Sequence, residues 1–514
     1  MNLSGLLQTI RVQPAYAQVL ASCQHGSFPL TLETPRAGRP PTLAALARDL
    51  RRPLLVLVAR NDHALALADE LNAWAPELDI IHFAEPGPLF YQRAEWGPRT
   101  RQQRLAAIAA LLAADRRAAI RARAGDLAAV DESPPVVIAT ARGLLSRTAP
   151  PDAYAAMEQV MRVGESVRLS ALLGSWLASG YEAVTVVTAP GQFSRRGGIV
   201  DIWSPTSAYP ARIELFGDEI ESLRRFDPAS QRSGDGVSTI TVGPAREALP
   251  GAGPAAAARL RSASFPQKND DAALADLERL EAGAAFAELE HYLPWLYDEE
   301  ATLLDYLPRD GIVIADDWQA FADSVEEFEA QALQLRAEQI DAGLLHDDAP
   351  APHVSWPDLL DRLHDARVIL MSGGDVDAAA ASEFGAMFAP ERRWGGQLKH
   401  ILEYMLELRL MNDAVVVVTR QAARLAELWG EYDAYLEPVE DLFEAPAAGG
   451  LAFVQGALAA GWTIALPGGQ SLHLLTDAEL FGWSRPEPRR RRSRPVAAST
   501  PEDAFAEFQP GELV

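Results

Sequence analysis

A change of pattern near Asp152 constrains the fold of this chain more than any other feature of its sequence. Before Asp152, segments with helical patterning separate three short apolar runs of the kind found in buried strands, at Leu54–Val58, Ile80–Phe83 and residues 136–139. The helical segments are one that runs to Trp74, for which Asn61 or Asp62 is the expected cap, and an Ala/Leu/Arg-rich one at residues 101–123. Strands that alternate with helices predict parallel βαβ units.

After Asp152 the apolar runs become short and are divided by Gly, Pro and Asp. One amphipathic helix is predicted at residues 169–179, where Gly180 ends it. The strands predicted to follow are residues 184–187, residues 198–203, Ala211–Phe216 and Glu219–Phe226. This pattern indicates a small α+β unit with an antiparallel sheet.

The remaining sequence returns to alternating strands and helices. Strands are predicted at Ile312–Ala315 and residues 368–371, and a further unit is predicted to begin near Gln397. In that unit the expected elements are a helix at Leu398–Leu410, a strand at residues 415–418, a helix at residues 422–430 and a strand at residues 463–466. Because 514 residues are too many for one core, we expect three to four compact units.

Charge and composition narrow the classes of function. A net charge of −25 opposes broad, non-specific binding of nucleic acid. Cys23 is the one cysteine, which excludes disulfides and cysteine-ligated zinc and favours the cytoplasm. No apolar run approaches the roughly 20 residues of a membrane helix, so no membrane partner is expected. The arginine run at residues 489–492, with Arg494, is interpreted as a solvated linker, and DNA contact is the alternative.

A search for catalytic motifs finds none that is usable. Residues 34–42 precede an apolar strand as a phosphate-binding loop would, but they lack its lysine, and Pro40 and Pro41 remove two backbone N–H donors. Asp316 and Asp317 follow an apolar strand and could hold Mg²⁺, but without a phosphate loop one of them is better interpreted as a helix cap. We therefore predict no catalytic residues, no metal and no cofactor.

The most informative segment is residues 191–203 with its continuation through residues 209–228. Side chains of a strand alternate between its two faces, so Ile213 and Leu215 should point into a core while Arg212 and Phe216 point outward. An outward aromatic residue beside arginine is typical of protein-interface hot spots. Burial of Phe216 under a neighbouring element is the alternative. Arg195 and Arg196 are expected to precede the neighbouring strand.

This segment resembles the UvrA-docking domain shared by UvrB and the bacterial transcription-repair coupling factors (the Mfd family). The resemblance rests on GQFSRRGGIVDIW at residues 191–203, on ARIELFGDEIESLRRFDP at residues 211–228, and on supporting segments such as LTDAELFG at residues 475–482. It extends over nearly the whole chain. It implies a UvrB-like, degenerate helicase-type α/β platform with an inserted small α+β UvrA-binding domain and a following small α/β domain.

The resemblance also implies boundaries. These are a first platform segment at 1–152, the UvrA-binding domain at 153–233, a second platform segment at 234–396, a small α/β domain at 397–487, and a linker with the start of a further domain at 488–514. The coupling factors are favoured over UvrB because the phosphate loop and the tyrosine-rich DNA-clamping hairpin are absent from this sequence. The chain is accordingly expected to be a fragment.

The implied function is recruitment of UvrA in transcription-coupled nucleotide excision repair, without catalysis by this chain. Carried over by position, the residues implied to contact UvrA are Arg196, Arg212 and Phe216. DNA and RNA polymerase would be partners of the full-length family through missing domains, where its ATP-dependent DNA translocase also lies. Two alternatives are an ATP-dependent damage-verification helicase of the UvrB type and a DNA-binding module.

Overall fold

The computed structural model describes residues 1–124, 133–263, 271–372 and 383–482. The predicted linker at 488–514, including Arg489 and Arg494, lies outside the described residues. The first region contains the elements α1 Leu7–Arg11, α2 Pro14–His25, β1 Leu30–Glu33, α3 Arg39–Leu50, β2 Leu54–Val58, α4 Asn61–Trp74, β3 Ile80–Phe83, α5 Pro98–Ala124, β4 Val136–Thr140, α6 Ala141–Leu145 and α7 Pro151–Met157.

A second region, built mainly from short strands, follows α7. Its elements are β5 Gln159–Arg162, α8 Leu169–Ala178, β6 Glu182–Ala183, β7 Gln192–Arg196, β8 Ile199–Ile202, β9 Ala211–Phe216, β10 Glu219–Phe226, β11 Ser233–Gly236 and β12 Thr239–Val242.

Helices dominate the next part of the chain, and a mixed α/β region ends the described residues. The elements are α9 Gly253–Ser262, α10 Asp271–Glu281, α11 Leu293–Leu296, β13 Ile312–Ala315, α12 Trp318–Asp341, α13 Trp356–His364, β14 Val368–Ser372, α14 Leu398–Leu410, β15 Ala414–Thr419, α15 Ala422–Trp429, β16 Leu451–Gln455, β17 Trp462–Ala465, β18 Ser471–Thr476 and α16 Asp477–Phe481.

The platform is a six-stranded parallel sheet in the order β1-β14-β13-β2-β4-β3. Strand β2 is buried on both faces, because Leu54 and Val56 pack into one hydrophobic core while Leu55 and Leu57 pack into the other. Burial on both faces explains the continuous apolar runs in the sequence. The predicted parallel α/β platform, assembled from segments before and after the strand-rich region, is confirmed.

The strand-rich region forms a second six-stranded sheet in the order β11-β10-β9-β8-β7-β6. Neighbouring strands are antiparallel except for the parallel pair β6 and β7. Helix α8 covers one face, where Trp176 lies against Phe193 with ring centroids 5.5 Å apart. The strand predicted at residues 184–187 is wrong. Its β-branched residues favour a strand, but after Val184 N–H donates to Phe193 O the backbone leaves β7. The oxygens of Thr185 and Val187 then accept hydrogen bonds from the side chains of Arg196 and Gln231 instead of from a strand.

The last described region contains a four-stranded mixed sheet in the order β16-β15-β18-β17. One face of this sheet shares the first platform core, as the stacked rings of Trp74 and Trp462 show, with centroids 6.2 Å apart. Its other face packs against α14 and α15. The region is therefore joined to the platform by apolar contact.

Two buried ion pairs hold the chain where it returns from the strand-rich region to the platform. Arg104 on α5 donates to both carboxylate oxygens of Glu247, at 2.6 and 2.9 Å, with both residues almost fully buried. Arg246 donates to both carboxylate oxygens of Glu290. Because each arginine and its partner come from distant parts of the chain, the pairs fix the base of the small sheet against the platform.

Helix caps were predicted with mixed success. Asp317 caps α12 by accepting a hydrogen bond from Ala320 N–H at 3.1 Å, as expected. The cap predicted for α4 is wrong, because the helix begins at Asn61 after an extended Arg60 that provides no side-chain cap. Asp62 lies in the first turn, where its charge complements the helix dipole.

Among the helices that the structure describes, none is both long enough and apolar enough to cross a membrane.

Candidate protein-docking surface

Two tight hairpins meet at one end of the small sheet. Gly197 and Gly198 join β7 to β8, and Gly217 and Asp218 join β9 to β10. Gly197 and Gly217 have φ values of +64° and +63°, a backbone conformation that favours glycine. Since Ile199 pairs with Glu214 across β8 and β9, the two hairpin tips lie side by side.

The faces of β9 follow the predicted alternation. Ile213 is fully buried, and Leu215 packs against the same core. Phe216 is 79% exposed, so the structure contradicts the alternative that a neighbouring element covers it. A phenylalanine this exposed at a strand end is a candidate anchor for a protein partner.

Arg212 lies on the outward face but is engaged within the sheet. Its Nε and Nη2 donate to the two carboxylate oxygens of Asp201 at 2.7 and 2.9 Å, and its Nη1 donates to Ser233 Oγ at 3.0 Å. The guanidinium also stacks over Phe226, 4.8 Å from the ring centroid. The hydrogen bond and charge of Asp201 raise the pKa of Arg212, despite opposing desolvation. Arg212 is thus a partly buried, pre-positioned residue.

Arg196 is more accessible than Arg212. It is exposed, and its Nη2 donates to the backbone oxygen of Thr185 at 2.9 Å. Arg195 and Arg196 are the last residues of β7, and they precede β8, the neighbour of β9, as expected. Because β7 ends at the first hairpin tip, Arg196 reaches the same end of the sheet as Phe216.

Asp201, the partner of Arg212, has no distinguishing local signal in the sequence. Asp201 is buried on β8 directly opposite Arg212, and the register of the two strands brings them together. Ten residues separate them in the sequence, so no local spacing predicts the pair. The signal that could have found it is the pairing of a carboxylate with an arginine on the same face of two successive predicted strands.

The segment at 34–42, whose position before a strand resembles that of a phosphate-binding loop, forms a short 3-10 helix and the start of α3. Arg39 is buried there and approaches Asp316 and Asp317, with nitrogen-to-oxygen distances of 3.9 and 3.5 Å. His63 contacts Asp316 at 3.0 Å. Burial opposes ionisation of Asp316, but the hydrogen bond from His63 and the charges of Arg39 and Arg36 lower its pKa.

No cluster of His, Cys, Asp and Glu side chains suited to a metal ion occurs within the described ranges. The exposed hairpin tips offer one bulky aromatic group, one accessible guanidinium and a second guanidinium held by Asp201.

Comparison with known proteins places this surface inside a matched domain. Residues 160–247 match the UvrB interaction domain. The transcription-repair-coupling factor of Bacillus subtilis (strain 168) is 24% identical over 503 residues, which are 92% of this chain and 39% of that protein. The factor of Myxococcus xanthus is 28% identical over 546 residues, covering 97% and 42%. That of Mycobacterium bovis is 30% identical over 316 residues, covering 60% and 24%.

The chain spans about two fifths of the length of the first two relatives. These matches confirm the resemblance predicted from the sequence, since the chain is similar over nearly its entire length to part of the transcription-repair-coupling factors and residues 160–247 match the UvrB interaction domain.

Proposed function

We propose that this chain is a non-catalytic module that recruits UvrA in transcription-coupled nucleotide excision repair, and that Arg196, Arg212 and Phe216 form its contact surface. The single observation that carries the proposal is the 79% exposure of Phe216 at a hairpin tip within the matched domain. An exposed aromatic ring beside two arginines has the composition of a protein-interface hot spot, which supports the proposal.

The three residues of the contact surface would make different kinds of contact with UvrA. Phe216 would enter an apolar pocket on UvrA, and burying such a ring supplies most of the hydrophobic driving force. Arg196, whose guanidinium keeps unused donors, would pair with a carboxylate. Arg212, held flat by Asp201 and Phe226, would present its remaining Nη2 N–H group and lose little side-chain entropy on binding.

The absence of catalysis by this chain is part of the proposal. The segment at 34–42 opens a helix with Pro40 and Pro41, and the buried Arg39 faces the two acids that a magnesium site would require. An ATP-dependent helicase of the UvrB type would need nucleotide bound there. Equilibrium dialysis of the chain with ATP and Mg²⁺ should show no binding, and measurable binding would reinstate that alternative.

The test of recruitment is a titration of the chain against UvrA by calorimetry. The wild-type chain is compared with Phe216→Ala and with Arg196→Ala/Arg212→Ala. We expect each variant to lose about 2 kcal/mol or more of binding free energy, the range of interface hot spots.

Leu177→Ala is the matched control, because Leu177 is also exposed but lies on α8, which covers the opposite face of the sheet. This control should bind UvrA like the wild type. A folded wild-type chain that does not bind UvrA would refute the proposal, and binding that survives in both test variants would move the site elsewhere.

A further inference from the structure

The two hairpin tips align four side chains in one row across the small sheet. Arg196 pairs with Ile199, Ile199 pairs with Glu214 on the next strand, and Phe216 pairs with Glu219. Residues paired directly across an antiparallel ladder point to the same face of the sheet. Glu214 and Phe216 lie two residues apart on β9 and so share a face, with Phe216 nearer the tip. From β7 to β10 the residues of this face nearest the turns are therefore Arg196, Ile199, Phe216 and Glu219.

The inner pair of this row is apolar and open to solvent. Ile199 is 41% exposed and Phe216 is 79% exposed. They lie on neighbouring strands in diagonal positions, a separation across which a phenylalanine ring can contact an aliphatic side chain. The tips thus offer an apolar strip rather than a single ring.

The outer pair of the row is charged and of opposite sign. Arg196 and Glu219 are both exposed, and each is the strand residue next to its turn. The apolar strip separates them. A partner that covers the strip would meet a positive charge at one side and a negative charge at the other.

We propose that Ile199 and Glu219 complete the docking surface as its specificity-determining residues, an inference that rests on the proposed function. The matching surface of the partner is then an apolar cavity with a carboxylate beside Arg196 and a basic group beside Glu219. Rotating the partner by half a turn would bring like charges together at both ends. The row therefore selects one orientation of docking, because like-charge contacts penalise the reversed one.

The experiment measures the affinity of UvrA for the full chain carrying Ile199→Ser or Glu219→Arg. We expect about tenfold weaker binding for each variant. Ile199→Ser removes a central apolar contact, and Glu219→Arg reverses a charge. The loss caused by Glu219→Arg should shrink as the salt concentration rises, because salt screens exposed charges. The loss caused by Ile199→Ser should not, because its cause is apolar.

Two control variants match these changes in chemistry but lie away from the tips. Leu177→Ser exposes a hydroxyl on α8, and Glu182→Arg reverses an exposed charge on β6, at the opposite end of β7 from Arg196. Both should bind within roughly twofold of the wild type, as surface changes away from an interface do. Ile199→Thr keeps a β-branched side chain and provides a second variant if the serine lowers the melting temperature.

The outcomes separate the two proposals. If Arg196→Ala weakens binding while Ile199→Ser, Ile199→Thr and Glu219→Arg all bind like the wild type, the row of four is wrong and UvrA docking stands. If the folded wild-type chain does not bind UvrA, the proposed function fails and this inference fails with it.

Discussion

Replacing Arg104 by alanine tests the ion pair that fixes the small sheet to the platform. The side chains of Arg104 and Glu247 are 0% and 2% exposed, and the guanidinium lies 4.0 Å from the centroid of Phe83 and 4.8 Å from that of Trp96. Arg104→Ala would leave Glu247 buried without a counter-charge, a change that costs about 3–5 kcal/mol. It would also remove two cation–π contacts and leave a cavity between the rings.

We therefore expect Arg104→Ala to lower the free energy of unfolding by about 4 kcal/mol. Urea denaturation followed by tryptophan fluorescence measures this change, and Trp96 reports on the affected region directly. The matched control is Arg60→Ala, which breaks an ion pair with Glu327 whose side chains are 60% and 53% exposed. That control should change the free energy of unfolding by about 0.5 kcal/mol or less.

The double variant Arg104→Met/Glu247→Leu separates the loss of the charge pair from the burial of an unpaired charge. Well-packed apolar replacements for a buried ion pair are often neutral, so the double variant should recover more than half of the stability lost by Arg104→Ala. If Arg104→Ala unfolds at the same urea concentration as Arg60→Ala, the buried pair does not hold the junction and the reasoning is refuted.

Two further predictions concern burial and pH. Ile213→Asp should unfold the small sheet because it buries an unpaired charge, whereas Phe216→Ala should leave the melting temperature unchanged. If both variants lower the melting temperature equally, Phe216 is a core residue and its assignment to the outward face is wrong. Burial and the charges of Arg147 and Arg336 lower the pKa of His353 from 6.5 to about 4. The neutral ring therefore contributes stability above about pH 6.5, and this stability is lost as the pH falls toward 4, with a loss of about 2 kcal/mol at pH 5. In His353→Phe, the urea concentration at half-unfolding should depend less on pH between 6.5 and 4.

Periodicity determined the class of the fold and most of its elements. The runs at Leu54–Val58 and Ile312–Ala315 are strands with the predicted bounds, because burial on both faces demands continuous apolar side chains. The half-buried edge strand Ile80–Phe83 also has its predicted bounds. The prediction failed at residues 184–187, whose composition favours a strand but which do not continue the pairing of β6 with β7. The composition of a segment determines its preference for a strand, but whether a strand forms depends on a neighbouring strand with which it can pair.

The sequence by itself determined that Ile213 points inward and Phe216 outward, since alternation along a strand follows from backbone geometry alone. It also carried the resemblance that the comparisons confirm. Only the tertiary structure decided that Arg212 is bound to Asp201 while Arg196 remains accessible. It likewise decided that two separate hairpins end side by side. These properties depend on the register between strands, which hydrogen bonds across the sheet fix and which no local spacing in the sequence encodes.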